Sequence, residues 1–261
     1  EVLALEFALQ RSLPQGSGKQ ELQILFPTEM SCDGALAEWQ LSSKNKPTIL
    51  VEATTSNQPL EYVLTHELSH HSQFKMGLNP ADPFAWRYCN TMGWQSFSNP
   101  LTGETNWAIT TKSGVLYKYS NNLRRWTSCN KEGQAVDCTG ARVKRQSEAD
   151  RMSTREIATL AKIRPCTSYM DNPLEVMAEG LAMYRTGAQN RSLLIERSPE
   201  LYSLVKDFDQ KLLDREFGAG LIRNTDGTVA ALNSETSDGI NKFEQQIIAS
   251  AGSSAKGNNP E

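Results

Sequence analysis

Leu64-Thr65-His66-Glu67-Leu68-Ser69-His70-His71 holds all three histidines of the 261-residue chain. Read as a helix, it projects His66 and His70 from one face, because residues four apart lie one turn above each other. Two imidazoles on one face reach one metal ion, and Glu67 then sits beside the ion rather than on it. That is the H-E-x-x-H arrangement of metal-dependent hydrolases, in which the glutamate is general base toward a zinc-activated water. The neighbouring sequence supports a helix. Asn57 is a candidate cap and Pro59 suits the first turn; Leu60, Val63, Leu64, Leu68 and Phe74 recur at helical spacing, and Gly77 is a stop. His71 points about 100° away from His70 around such a helix and is read as a non-ligand.

Working outward on the N-terminal side, Thr48 to Glu52 follows Pro47 and is rich in β-branched residues, which predicts a strand just before the histidine helix. Thr48 to Ala53 is the candidate for an edge able to pair with an extended peptide; a core strand is the other reading. Leu22 to Phe26 reads as a further strand and Ala35 to Leu41 as a short helix carrying Trp39. The apolar residues between Glu1 and Ser12 fit either a helix or a strand.

Beyond Gly77 the pattern changes. Asn79-Pro80, Asp82-Pro83 and Asn99-Pro100 mark turns, and Trp86, Trp94, Trp107 and Trp126 fall between about residues 86 and 145. Trp107 to Thr111 and Val115 to Tyr119 read as a hairpin. This aromatic-rich insert either lines a cleft or forms a small core of its own. Ser153 with Glu156 is a capping-box pattern ahead of Ile157, Leu160 and Ile163. Ser198-Pro199 opens a helix to Phe217 with Gly218 at its end, and Ile240 to Ile248 forms a last helix.

A catalytic zinc takes three protein ligands and keeps one open position, so His66 and His70 require a third donor, a carboxylate or, less favourably, a cysteine. The best source is Tyr169-Met170-Asp171-Asn172-Pro173-Leu174-Glu175-Val176-Met177-Ala178-Glu179. Asn172 and Pro173 make a strong helix start there, and Glu175 and Glu179 share a face. Taken alone, Glu175 also fits the carboxylate of a capping box and Glu179 a solvated surface residue.

His66-Glu67-Leu68-Ser69-His70 followed by Asn172-Pro173-x-Glu175-x-x-Ala178-Glu179 resembles the gluzincin metallopeptidases. The nearer likeness is to the branch that includes the anthrax lethal factor protease domain and related secreted bacterial peptidases. The resemblance covers two helices. It implies Glu175 as third zinc ligand, Glu179 as the carboxylate holding a ligand histidine, and Tyr169 as an oxyanion-stabilising residue.

Composition sets the remaining bounds. Lys and Arg number 27 against 30 Asp and Glu, a net charge of -3 with neither sign in a long block, so nothing points to nucleic acid. No apolar run is long enough to span a membrane. The five cysteines form no C-x-x-C pair. A disulfide between Cys129 and Cys138 would suit a secreted or periplasmic protein.

The expectation is an α+β, zincin-like fold: a small sheet above the His66/His70 helix and a helical lower half. Residues 1–249 form one catalytic domain, and 250–261 a Gly/Ser/Asn-rich disordered tail. With one Zn2+ per chain, the chain would be a metalloprotease acting on a peptide or protein substrate. The alternatives are a non-catalytic binding module using the aromatic insert and an amidase acting on cell-wall peptide.

Overall fold

The computed structural model describes residues 2–12, 22–26, 37–41, 46–51, 59–77, 95–100, 103, 105–111, 114–120, 125–153, 156–157, 166–167, 170 and 175–256. These group into two compact units: Glu1–Gly77 with Met177–Glu261, and Leu78–Val176. The architecture is mixed α+β.

In the first unit, helix α1 (Val2–Ser12) is followed by strands β1 (Gln23–Leu25), β2 (Ala37–Leu41) and β3 (Pro47–Val51), then helix α2 (Leu60–Lys75). The strands form a three-stranded sheet in the order β1-β3-β2, with β1 parallel and β2 antiparallel to β3. Ile49 and Val51 of β3 join Ala8 of α1, Ala37 of β2, and Val63, Leu64 and Leu68 of α2 in one apolar cluster. Burial of that cluster is what holds the sheet and α1 against the histidine helix.

Two expectations are corrected here. The helix expected at Ala35 to Leu41 is overturned over its described part, where residues 37 to 41 are β2. Each residue from Ala37 to Leu41 has a partner in β3, so sheet pairing overrides the helix-forming Ala-Glu-Trp-Gln-Leu composition. The Thr48–Ala53 edge is likewise wrong over its described part. Residues 48 to 51 belong to β3, the central strand with neighbours on both sides, as its almost continuous burial requires. Among the described residues, β2 is an edge instead.

The ambiguous N-terminal stretch is helical. Helix α2 starts slightly later than expected, with Pro59 at the N-cap in place of Asn57, and stops as expected: Gly77, with φ 71°, lies just beyond its end and donates to the Phe74 carbonyl over 2.9 Å. The positive φ at that turn is one that glycine adopts without steric cost. Asn57 lies outside the described residues.

The C-terminal part supplies helices α3 (Val176–Arg185), α4 (Ala188–Arg197) and α5 (Pro199–Phe217), the hairpin β9 (Leu221–Arg223) with β10 (Val229–Ala231), and helix α6 (Ser234–Lys256). Helix α6 begins before the expected Ile240 and runs to Lys256. Beneath α2 lies a buried ionic cluster. Asp209 of α5 accepts from Arg185 Nε at 2.8 Å and from Arg223 Nε at 2.6 Å. Arg223 also donates to the carbonyls of Arg11 and Gly227, tying α1 and the β9–β10 turn to the same centre. Burial alone would push the Asp209 carboxyl upward, but the Arg223 and Arg185 guanidiniums outweigh it and hold the group below the usual carboxylate range.

In the second unit, β4 (Gln95–Ser98), β5 (Thr105–Thr110), β6 (Leu116–Ser120), β7 (Arg125–Cys129) and β8 (Arg151–Met152) form an antiparallel five-stranded sheet in chain order. The expected hairpin is β5–β6. Tyr117 and Trp126 are fully buried, and Tyr119 packs edge-on to Trp126 with ring centroids 5.3 Å apart, so these aromatics serve the unit's own core. Arg142, Lys144 and Arg145 are exposed, as a solvated basic face should be. Ser153 and Glu156 make the expected capping box: the Glu156 carboxylate accepts from the Ser153 amide at 2.7 Å, and Ser153 Oγ accepts from the Glu156 amide at 3.3 Å. The bridge between Cys129 and Cys138 is not formed. Both are free thiols, one buried at the end of β7 and the other exposed. Among the described residues, no helix is long and apolar enough to cross a membrane.

Candidate metal centre

Helix α2 presents His66 and His70 as the four-residue spacing requires, their rings 5.0 Å apart between centroids and nearly perpendicular at 79°. Glu175, in the turn that runs directly into α3, completes the group. One ligand atom from each of His66, His70 and Glu175 lies within 4.8 Å of the others, close enough for a single metal ion. His66 is buried, while His70 and Glu175 are half-buried. Two imidazole nitrogens and a carboxylate oxygen leave a tetrahedral ion one open position.

Glu179, one turn further along α3 and only 2% exposed, fixes the orientation of His66. Its Oε2 lies 2.8 Å from His66 Nδ1, and its Oε1 accepts a hydrogen bond from the Tyr62 hydroxyl at 2.9 Å. An ionised carboxylate only accepts, so the proton of a neutral His66 ring belongs on Nδ1 and the lone pair on Nε2, the tautomer a metal ligand needs. Glu179 is therefore not a solvated surface residue.

Glu67 is 7% exposed, and its Oε2 accepts from the backbone N–H of Trp39 at 2.6 Å. This bond ties the carboxylate beside the histidine pair to the edge strand β2. The Trp39 indole also packs on Phe74 of α2, with centroids 5.4 Å apart. Together these contacts hold β2 along the helix. Near His70, the Gln73 amide lies 3.5 Å from Nδ1, at the outer limit of a hydrogen bond.

His71 takes no part in the group. It is buried, its ring is stacked 6.3 Å from that of Phe74, and among the described residues neither ring nitrogen has a hydrogen-bond partner. Burial, reinforced by the Lys75 ammonium and opposed by Glu216, pushes its pKa down to about 4 and keeps the ring neutral.

Of the residues singled out from sequence, His66, His70, Glu175 and Glu179 converge, and Glu67 stands beside them. Tyr169 lies outside the described residues, as do Asn172 and Pro173. Two contributors went unread. Tyr62 is one turn before His66 on the same face of α2, a spacing that could have drawn attention to it. The Trp39 amide is a main-chain group and leaves no signature in the sequence. No protein-family model, curated protein or solved structure matches the chain.

Proposed function

We propose that this chain is a zinc-dependent endopeptidase of the gluzincin type on a zincin-like fold, with His66, His70 and Glu175 as the ligands of one zinc ion. The observation that carries the reading is the convergence of those three donors with Glu179 bonded to His66. A donor set of two imidazoles and one carboxylate, with a buried carboxylate behind a ligand histidine, fits zinc in a catalytic rather than a structural role.

Bound zinc supplies Lewis acidity, lowering the pKa of a water molecule and polarising the substrate carbonyl. Glu67 then acts as general base: its carboxylate takes the proton from the attacking water and delivers it to the leaving amine. The Trp39 N–H holds one oxygen of that carboxylate and so restricts its rotation. Glu179 keeps the His66 proton on Nδ1 throughout. Tyr169, on the resemblance to the lethal factor branch, is assigned the developing oxyanion.

β2 is the proposed substrate edge. One of its sides pairs with β3, and its Trp39 amide reaches the general base, so an extended peptide adding to β2 lies next to Glu67. A location outside the cytoplasm is assigned on the resemblance alone, since Cys129 and Cys138 are free thiols.

The test is digestion of a proteome-derived peptide library by the zinc-loaded protein, read by mass spectrometry beside Glu67→Gln. New termini are expected with the parent. The variant should keep its zinc and lose activity by roughly 10²–10⁴-fold, the usual contribution of a positioned general base. A zinc-loaded parent that cleaves nothing, or a variant as active as the parent, refutes the assignment.

A further inference from the structure

Among the described residues, helix α3 is hydrogen-bonded to α2 at two places. At the first, Glu179 accepts from Tyr62 and pairs with His66. At the second, Arg185 Nη1 donates to Ser69 Oγ at 3.3 Å and to Ser72 Oγ at 3.0 Å. The two anchors come in the same order along both helices. On α3 they are six residues apart, about 9 Å of helix. A single anchor lets one helix pivot on the other. Two anchors at that separation fix both the sliding register and the crossing angle.

The second anchor has a fixed polarity. Ser69 Oγ donates its only proton to the Thr65 carbonyl at 2.7 Å, and Ser72 Oγ donates to the Leu68 carbonyl at 2.9 Å. Each hydroxyl is thereby left as an acceptor, the role a guanidinium requires, since arginine offers donors alone. Arg185 is itself fully buried, and its Nε–H is committed to Asp209 at 2.8 Å, so the guanidinium has one available orientation. Ser69 immediately precedes His70 in the chain, and Ser72 follows it by two. A displacement of this face of α2 is carried directly to a proposed ligand.

We propose that Arg185 is a positioning residue of the metal centre: through Ser69 and Ser72 it sets the register of the histidine helix against the helix that carries Glu179. The inference rests on the His66/His70/Glu175 reading for its consequence at the metal. Its structural core, the link between the serine anchor and the His66–Glu179 bond, is measurable without metal. The hydrogen bonds of Arg185 run to Ser69, Ser72 and Asp209, so its action on the histidines is through α2.

The experiment uses the full chain with Ser69→Ala and Ser72→Ala combined, which removes both acceptors and leaves the Arg185–Asp209–Arg223 cluster intact. In the metal-free protein, the imidazole Nδ1–H resonance of His66 is followed by NMR. Zinc affinity is then measured by competition with a chromophoric chelator, and the visible spectrum is recorded with Co2+ in place of zinc. The expected result is loss or displacement of the His66 resonance, an altered cobalt spectrum and zinc binding weakened about tenfold or more, the scale on which outer partners of ligands act. A folded double variant with the parent's His66 resonance, cobalt spectrum and zinc affinity overturns the inference, even if its urea stability has fallen. Should the double variant not fold, Ser72→Ala alone removes the shorter bond; a smaller change of the same kind supports the inference, and no change overturns it. A parent that binds no metal sinks the metal-centre reading, and the His66 resonance then decides the register claim by itself.

Discussion

Glu179→Gln isolates the charge behind His66 while keeping the shape of the side chain. The carboxylate accepts from His66 Nδ1–H at 2.8 Å and from the Tyr62 hydroxyl at 2.9 Å. A glutamine can still offer its oxygen to His66 and turn its NH2 toward Tyr62, whose hydroxyl oxygen can accept. Both contacts survive in geometry, and what disappears is the negative charge. Hydrogen bonds to a charged group are worth about 1.5–3 kcal/mol and neutral ones about 0.5–1.5. For the His66 bond the loss is therefore about 1–1.5 kcal/mol, or roughly tenfold in zinc affinity. Glu179→Ala goes further: it leaves the buried Nδ1–H unpaired and opens a cavity, so the loss should approach the roughly hundredfold upper end for an outer partner of a ligand. Tyr62→Phe, which removes the hydroxyl's bond to Glu179 and leaves the His66 contact in place, should cost less than either. The assay is competition with a chromophoric zinc chelator at neutral pH. Parent-like affinity in both Glu179 variants refutes the role assigned to this carboxylate.

Two further outcomes follow from the buried charges around α2. Asp209→Asn strands the Arg185 and Arg223 guanidiniums without their shared counter-charge and should cost about 3–5 kcal/mol in urea unfolding of the metal-free protein; a loss below about 1 kcal/mol would contradict the cluster's role. His71 has a folded pKa of about 4 against an ordinary 6.5, so between those values the unfolded chain binds the extra proton. Its contribution is complete above pH 6.5 and lost as the pH falls to 4, up to about 3 kcal/mol. In chelator, His71→Leu should flatten the decline in stability over that window relative to the parent, and parallel slopes would refute the assignment.

The legible part of the site was local. His66, Glu67 and His70 follow from one helical spacing, and the Pro59 and Gly77 boundaries of α2 from local backbone preferences. Glu175 and Glu179 could be paired on one face for the same reason, but their separation into ligand and supporting carboxylate came from a family resemblance. Elements that depend on distant partners were misread or missed. The Ala-Glu-Trp-Gln-Leu segment has helix-forming composition and becomes β2 only because β3 is available to pair with it. Which of two apolar strands is central and which is an edge depends on strand order, which the β-branched run at Thr48 to Val51 does not encode. The Arg185–Asp209–Arg223 cluster joins residues 24 and 14 positions apart in sequence, a spacing that carries no local signature.

The central claim is that His66, His70 and Glu175 hold one metal ion. Zinc content of the purified protein, measured beside Glu175→Ala after equal exposure to the metal and desalting, tests it most directly. One zinc per chain is expected in the parent and a large loss in the variant. Equal zinc in both would contradict it by placing the third ligand elsewhere, and no zinc in either would remove the metal centre altogether.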